Sequence, residues 1–415
     1  MTTMLWGFAG AAVLGGFLGF GCAEAPEDDS DRLKIGVLFG FTGESAIGFN
    51  YERSVRMVAD QINDGGGLLG SDVKITARDT ASDLLHSVEQ ADDLLKDNAK
   101  VVLGPDNPEL ARRTAALFAS RQVAHVIGGG ILPPPALVED TGAYLIGPST
   151  ETLTCALADK ILKQHARTVA ILHTEHVFEK YFAIGVENAL LEHGDPSEIE
   201  VARLVLDESK NEWVGDVQAL QPDAIVLAAE PRSGMRIVNV WSVVAPSGRQ
   251  QWYFSPTLNQ QFFLNNIPSW IVEGGLAIGP SFGESGDFES FEEAFHARWS
   301  DEPFASAAYY YDGFALLALA IEAAGGTKDR FPRREEIGAA MEEVGNSESG
   351  HQYEWNEIAQ ALQTIRAGEK IQYRGVTGDL RVNSRHGIGM DNRQVSFWRI
   401  QDGRFVHSDD GSCSE

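Results

Sequence analysis

The chain has 415 residues, of which 43% are hydrophobic and 22% charged, the profile of a soluble globular protein long enough for two domains that each bury a core. Its 60 acidic residues against 33 basic ones give a formal net charge of -27. That field repels phosphate backbones and anionic lipid surfaces, and it excludes nucleic acid as a partner, because such binding depends on Lys and Arg displacing counterions.

The first 22 residues carry no charged side chain, and residues 5–20 form an apolar, Gly-rich run too short for a comfortable membrane span. Residues 1–22 therefore read as an export signal. Cys22 closes the run and precedes an acidic, Pro-containing tether over 23–31, the pattern of a bacterial lipoprotein junction with Cys22 as the lipidated residue. Cleavage after Ala25, from the small-residue pattern Ala23-Glu24-Ala25, is the alternative, and Pro26 disfavours it. The other cysteines are Cys155 and Cys413, in a compartment where disulfides persist, and they form either one bridge or two free thiols.

From residue 34 a repeating pattern begins. An apolar run over 34–39 is followed by Val55, Val58, Ala59 and Ile62, the spacing of one helical face. Strands at 73–77, 101–103 and 124–127 follow, with helical faces through Leu84, Val88, Ala91 and Leu95 and through Leu110, Thr114, Leu117 and Phe118. A second series opens with a helix over 155–164. Its strands are 168–172, 201–206, 223–228, 251–254 and 276–278, with helices such as 179–193 and 234–244 between them. Nearly continuous apolar strands alternating with helices imply parallel sheets covered on both sides. The spans 288–299, 305–324 and 333–344 read as helices with no strands of their own, so they are expected to cover the first sheet. Two closing strands, 394–400 and 404–407, flank the turn Gln401-Asp402-Gly403 and read as a hairpin.

Several strings in this order resemble the type I periplasmic binding proteins, in the leucine/isoleucine/valine-binding branch that serves ABC importers. They are Lys34-Ile35-Gly36-Val37 with Thr42-Gly43, Asp60-Gln61-Ile62-Asn63, Gly65-Gly66-Gly67 with Gly70, Asp79, Gly104-Pro105, the Tyr-rich 305–324 helix, Gly375-Val376-Thr377-Gly378, and Trp398-Arg399-Ile400-Gln401-Asp402-Gly403. The resemblance implies an α/β fold of two Rossmann-like lobes with parallel sheets, joined by a three-crossover hinge that closes on a ligand. Lobe 1 is then expected at 32–148 and 280–392, lobe 2 at 149–279 and 393–408, and a polar tail at 409–415. It further implies a monomeric, non-enzymatic receptor in the cell envelope. Such a receptor touches the membrane only through a lipid anchor, needs no cofactor and hands a small molecule to ABC permease subunits.

Other chemistries leave weaker marks. Gly65, Gly67 and Gly70 satisfy a dinucleotide fingerprint formally, but they follow a helix and precede a strand, the reverse of what a pyrophosphate cradle needs. His173 and His176 bracket Glu175 just past a strand without a third metal ligand, so no metal site is assigned. Nucleophile elbows and triad strings are absent from the sequence, and Glu175, Glu230 and Asp106 lack any matched spacing for acid–base work.

In the resembling branch a Ser after the Gly-Pro strand, a Thr after the fourth strand and a lobe 2 Glu hold an amino-acid ligand. Those places hold Pro108, Ile131 and Thr257 here, so recognition of a free α-amino acid is not expected. The expected cleft comprises Thr42, Ser45 and Ile47 in the first loop, Asp106 and Asn107 after the third strand, and Gly129, Gly130 and Ile131 after the fourth. Phe178, Glu230 and Thr257 face them from lobe 2. This set suits a small amphipathic or amide-like solute. A ligand-sensing lipoprotein and a cleft enzyme are the competing readings.

Overall fold

The computed structural model describes residues 32–43, 47–128, 141–207, 210–244, 250–281, 287–380, 382–383, 389–390 and 394–412. Lobe 1 is built on β1 (Leu33–Phe39), β2 (Val73–Asp79), β3 (Val101–Leu103), β4 (Ala124–Gly128) and β5 (Tyr144–Ile146). These run parallel and are linked through α1 (Gly48–Asp64), α2 (Leu84–Lys96) and α3 (Pro108–Ser120). Lobe 2 repeats the scheme with α4 (Thr150–Lys163), β6 (Thr168–His173), α5 (Val177–His193), β7 (Glu200–Val205), α6 (Trp213–Leu220), β8 (Ala224–Ala228), α7 (Pro231–Val244), β9 (Gln251–Phe254), α8 (Gln261–Asn265) and β10 (Leu276–Pro280).

The chain then returns to lobe 1 as α9 (Phe288–Trp299), α10 (Ala305–Ala324) and α11 (Arg334–Asn346). A small sheet follows, made of β11 (His351–Glu354), β12 (Ile371–Gly375) and β13 (Gly378–Asp379), with α12 (Ile358–Arg366) between its first two strands. The short strands β14 (Val382–Asn383) and β15 (Gly389–Met390) complete the first large sheet, in the order β14-β15-β5-β4-β3-β1-β2. Finally β16 (Gln394–Gln401) and β17 (Arg404–Ser412) join the second, in the order β17-β16-β10-β9-β8-β6-β7. The backbone therefore passes between sheets three times, after β5, after β10 and after β15.

The two expected lobes and the return of the late helices to lobe 1 are present, with corrections at the edges. Pro280 ends a lobe 2 strand, and residues 409–412, expected as tail, belong to β17. Neither β5 nor the elements from β11 to β15 were anticipated. Among the described residues no helix is long and apolar enough to cross a membrane.

Two interactions explain why the recurring strings are needed. The Gly65–Gly67 turn is tied down by Arg366, whose guanidinium donates to the carbonyls of Gly65 and Gly67 at 2.6 Å each while pairing with Glu322 at 2.7 Å. The glycine run is thus a loop between α1 and β2 and no phosphate cradle. In the middle of α10, which is buried on all sides, the Asp312 carboxylate accepts from the Val376 and Thr377 N–H groups (2.8 Å each), the Thr377 hydroxyl (2.7 Å) and the Tyr373 hydroxyl (3.1 Å). Gly375 is required beside it, since a Cβ there would lie 2.4 Å from a carboxylate oxygen. Burial pushes the Asp312 carboxyl up to about 6 against the pull of these bonds.

Asp312→Asn turns an amide NH2 toward groups that are themselves donors, leaving buried partners unsatisfied. The expected cost is about 2 kcal/mol in urea unfolding. A loss below about 0.5 kcal/mol would show that the Gly375–Gly378 segment is held by other contacts.

Candidate functional site

In an open parallel sheet, ligands lie beyond the carboxyl ends of the strands, where the strand order reverses. In lobe 1 that point falls between β1 and β3, and in lobe 2 between β6 and β8. The loops leaving those four strands carry Thr42, Asp106, His176 and Glu230.

On lobe 1 the β1 loop is clamped by Asp79 at the end of β2. Its carboxylate accepts from the N–H groups of Phe41 (2.9 Å), Thr42 (3.2 Å) and Ala81 (2.8 Å) and from the Thr42 hydroxyl (2.6 Å). Burial alone would raise this carboxyl, but the four bonds outweigh it and hold the group below the usual range. The Thr42 hydroxyl is thus committed to shaping the loop. Asn107 is likewise structural, capping α3 by accepting from the N–H groups of Glu109 (2.9 Å) and Leu110 (3.2 Å). Pro108 occupies the first turn of that helix. Ile47 is half-buried against the lobe 1 core.

Asp106 differs from its neighbours. Its carboxylate accepts the Gly40 N–H at a long 3.4 Å, and loss of solvation, with the Asp79 charge nearby, pushes it up to about 6 despite that bond and one from its own N–H. Although half-exposed by surface, it is packed closely enough for desolvation to dominate. Beneath it lie Phe39, Tyr51 and Tyr310, with ring centroids 4.7–5.5 Å apart. The phenols of Tyr51 and Tyr310 both sense its charge. Phe41 and the exposed Phe49 extend this aromatic floor toward the rim, 4.9 Å apart.

On lobe 2, Glu230 sits just past β8. It accepts from the Thr174 hydroxyl at 3.2 Å and pairs with His176 Nδ1 at 2.9 Å. Glu179, in the first turn of α5, is buried, and its carboxyl is pushed up to about 8, chiefly by burial and then by the charge of Glu230. It shares a hydrogen bond with Thr257, which is also bonded to Ser255 (2.7 Å) and donates to the Ala229 carbonyl (3.1 Å). Burial and the neighbouring Glu230 charge thus favour the protonated form of Glu179.

The place where the resembling branch carries a lobe 2 acid holds Thr257, yet a carboxyl stands beside that threonine, supplied by α5. Sequence reading passed over Glu179 as the start of a helix. The available signal was an acid set between Phe178 and Phe182 in a turn entered directly from a strand. Phe178 itself is buried in the lobe 2 core against Phe182, centroids 5.7 Å apart.

His173 and His176 do not converge. His173 is buried, donates through Nδ1 to the Thr174 carbonyl at 2.8 Å, and turns Nε2 toward Arg203 at 3.2 Å. Cys155, Asp159 and His193 bring ligand atoms within 4.8 Å of one another, but Cys155 is disulfide-bonded and His193 pairs with Asp159 at 2.8 Å. Ser45, Gly129, Gly130 and Ile131, with Cys22 and Cys413, lie outside the described residues.

A family model described as periplasmic binding protein matches residues 32–353. The chemotactic signal transduction system substrate-binding protein BasB of Halobacterium salinarum is 22% identical over 363 residues, 84% of this chain and 83% of that protein. The leucine binding protein LivK from Thermotoga maritima superposes with a TM-score of 0.70 at 16% identity, over 92% of this chain and 99% of that one. LivJ from Streptococcus pneumoniae, a branched-chain amino acid transporter substrate binding protein in complex with isoleucine, gives 0.68 at 17% identity over 91% and 100%. An ABC transporter solute-binding protein from R. palustris in complex with benzoate gives 0.69 at 14% identity over 92% and 98%. These structures share the two-lobed fold.

The raised Glu179 carboxyl has a consequence for stability. A carboxyl raised on folding contributes stability that is complete below its unfolded value, near 4.5, and is lost as pH rises through about 8. Between pH 7 and 9 the wild type is expected to lose on the order of 1 kcal/mol more than Glu179→Gln. Parallel slopes for the two proteins in urea unfolding would show that Glu179 is ionised throughout.

Proposed function

The chain belongs to the periplasmic binding protein family, and on that premise we propose that it is a lipid-anchored extracytoplasmic receptor that delivers a small organic solute to an ABC importer. The observation that carries this reading is the pairing of two strand-order reversals, one per lobe, with carboxyl groups in the loops and helix turns beyond them. Asp106 serves on one face and Glu230 with Glu179 on the other, and three chain crossings join the lobes. Solute binds one lobe, and closure adds the contacts of the second. Only the closed form then presents the matching surface to permease subunits.

The ligand that suits these faces carries a cation or several hydrogen-bond donors on a compact apolar body, an amine or amide in preference to free leucine, isoleucine or valine. Loss of the branch's hydroxyls at Pro108 and Ile131 removes groups that would hold an α-carboxylate. Solved relatives with this fold hold ligands as different as isoleucine and benzoate, which supports ligand choice being made by the loops. A second reading, a receptor that feeds a signalling complex, is favoured by the similarity to BasB. A cleft enzyme has less support, since the matching family is one of binding proteins.

Calorimetry of the wild type against amines, amides, short organic acids and the branched-chain amino acids tests the ligand class. Glu230→Gln should weaken the best binder by about 1.5–3 kcal/mol, the range for a hydrogen bond to a charged group, with the fold intact by circular dichroism. Tight leucine binding that ignores the substitution would sink the assignment, and turnover of the bound compound would revive the enzyme. Cys22→Ala should move the protein from the membrane fraction to the soluble one. If it stays membrane-bound, the anchor lies elsewhere.

A further inference from the structure

The neighbouring strands β6 and β8 each lead into a helix, and the residues that open those two helices, His176 and Glu230, pair with each other. The His176 carbonyl takes the first bond of α5, from the Lys180 N–H at 3.0 Å, and the Glu230 carbonyl takes that of α7, from the Gly234 N–H at 2.8 Å. We propose that His176 is the receptor's own stand-in for the donor group of the solute. Its imidazole holds Glu230 until a solute displaces it, which makes His176 a specificity-determining residue that favours cationic donors over neutral ones. This deepens the receptor reading and rests on Glu230 meeting the solute.

The geometry makes the imidazole the partner that yields. One Glu230 oxygen accepts from the Thr174 hydroxyl at 3.2 Å, and the other lies 2.9 Å from His176 Nδ1. Thr174 is buried and its N–H is bonded to the Ala228 carbonyl at 3.2 Å, so that partner is fixed. The His176 side chain is instead 49% exposed, against 32% for Glu230. At the start of a helix a side chain commonly accepts from the unpaired N–H groups, and His176 makes no such bond. The helix dipoles act on the pair in opposite senses, favouring the carboxylate at the start of α7 and opposing positive charge on the imidazole at the start of α5. Lys180, the other cation of this turn, is engaged with Glu175 at 3.3 Å. Displacement therefore asks for the rotation of one exposed side chain, with both loop backbones held by their helices.

Magnitudes decide which solutes succeed. A pair this exposed is worth a factor of at most about 5. A charged donor on Glu230 is worth about 10–150-fold, and a neutral donor about 2–10-fold. An amine or amidine thus displaces the imidazole with a large net gain, whereas a neutral amide gains little.

The test is calorimetry of the full chain with isobutylammonium chloride and with isobutyramide, a neutral amide of similar size. Wild type is compared with His176→Ala and with His176→Asn, which keeps a capping side chain, folding being checked by circular dichroism. Removing an internal competitor helps every solute alike, so both variants should bind both probes about 3–5-fold more tightly than wild type, the cation ahead of the amide throughout. The effect runs through Glu230, so His176→Ala should change neither affinity in a Glu230→Gln background. Unchanged or weaker binding to His176→Ala, or a tightening that persists in the Glu230→Gln background, overturns the proposal and leaves the receptor reading standing. Binding of neither probe to any of these proteins overturns the amine-or-amide reading and the proposal with it.

Discussion

Helix α10 is apolar along nearly its whole length, yet at its centre stands Asp312, with four donors from a segment more than sixty residues later aimed at its carboxylate. Three of the four come from Val376 and Thr377, so the placement of the Gly375–Gly378 turn against α10 depends on this one group. Without it, the Gly375–Gly378 turn would bury N–H groups against a hydrocarbon surface, a cost of about 1–3 kcal/mol for each. The strands β14 and β15, and the third passage to lobe 2, lie downstream of that turn.

The same device recurs at the cleft. Asp79 gathers the loop after β1 as Asp312 gathers the turn after β12, and Asn107 gathers the start of α3. Once these are counted as scaffolding, the remaining acids near the strand ends stand out by what they lack. Asp106 has a single long bond from the Gly40 N–H besides its own, and Glu179 shares a threonine hydroxyl. Both carboxyls are raised by desolvation, where Asp79 is lowered by donors. Asp312, which holds a turn, is raised as they are, so the direction of the shift records burial weighed against donors and does not by itself mark an acid of the cleft.

The two-lobed organisation was legible because long parallel-sheet strands such as β1, β6 and β8 read as unbroken apolar runs and α10 as an apolar helix with no alternation. The hairpin of β16 and β17 was legible from Asp402-Gly403. What escaped was short or polar. Strand β5 is three residues before a crossing, β11 is largely exposed, and β14 and β15 have two residues each, too few for any period to show. At the cleft, residue type pointed to Thr42 and Asn107 as well as to Asp106 and Glu230, since a hydroxyl or amide that caps a loop looks the same in sequence as one that meets a ligand. Glu179 was missed for the opposite reason, an acid in a first helical turn being ordinary at the surface. Only burial distinguishes it.

On the proposed reading, the placement of these acids also shapes the empty receptor. Closure brings the Asp106 face toward the Glu230 and Glu179 face, and like charges in a narrowing, water-poor gap repel more strongly than in bulk solvent. Protonation of Glu179, which its burial favours, would remove part of that repulsion, and a donor-bearing solute would lower the rest. The free energy that such a solute gains from the second lobe is thus also the free energy by which it shifts the population toward the closed form. A ligand lacking donors would enter the open cleft and leave that repulsion uncompensated on closing. On that reading selection would be made by closure as much as by the first contact, because acids of both lobes meet the solute together only in the closed form.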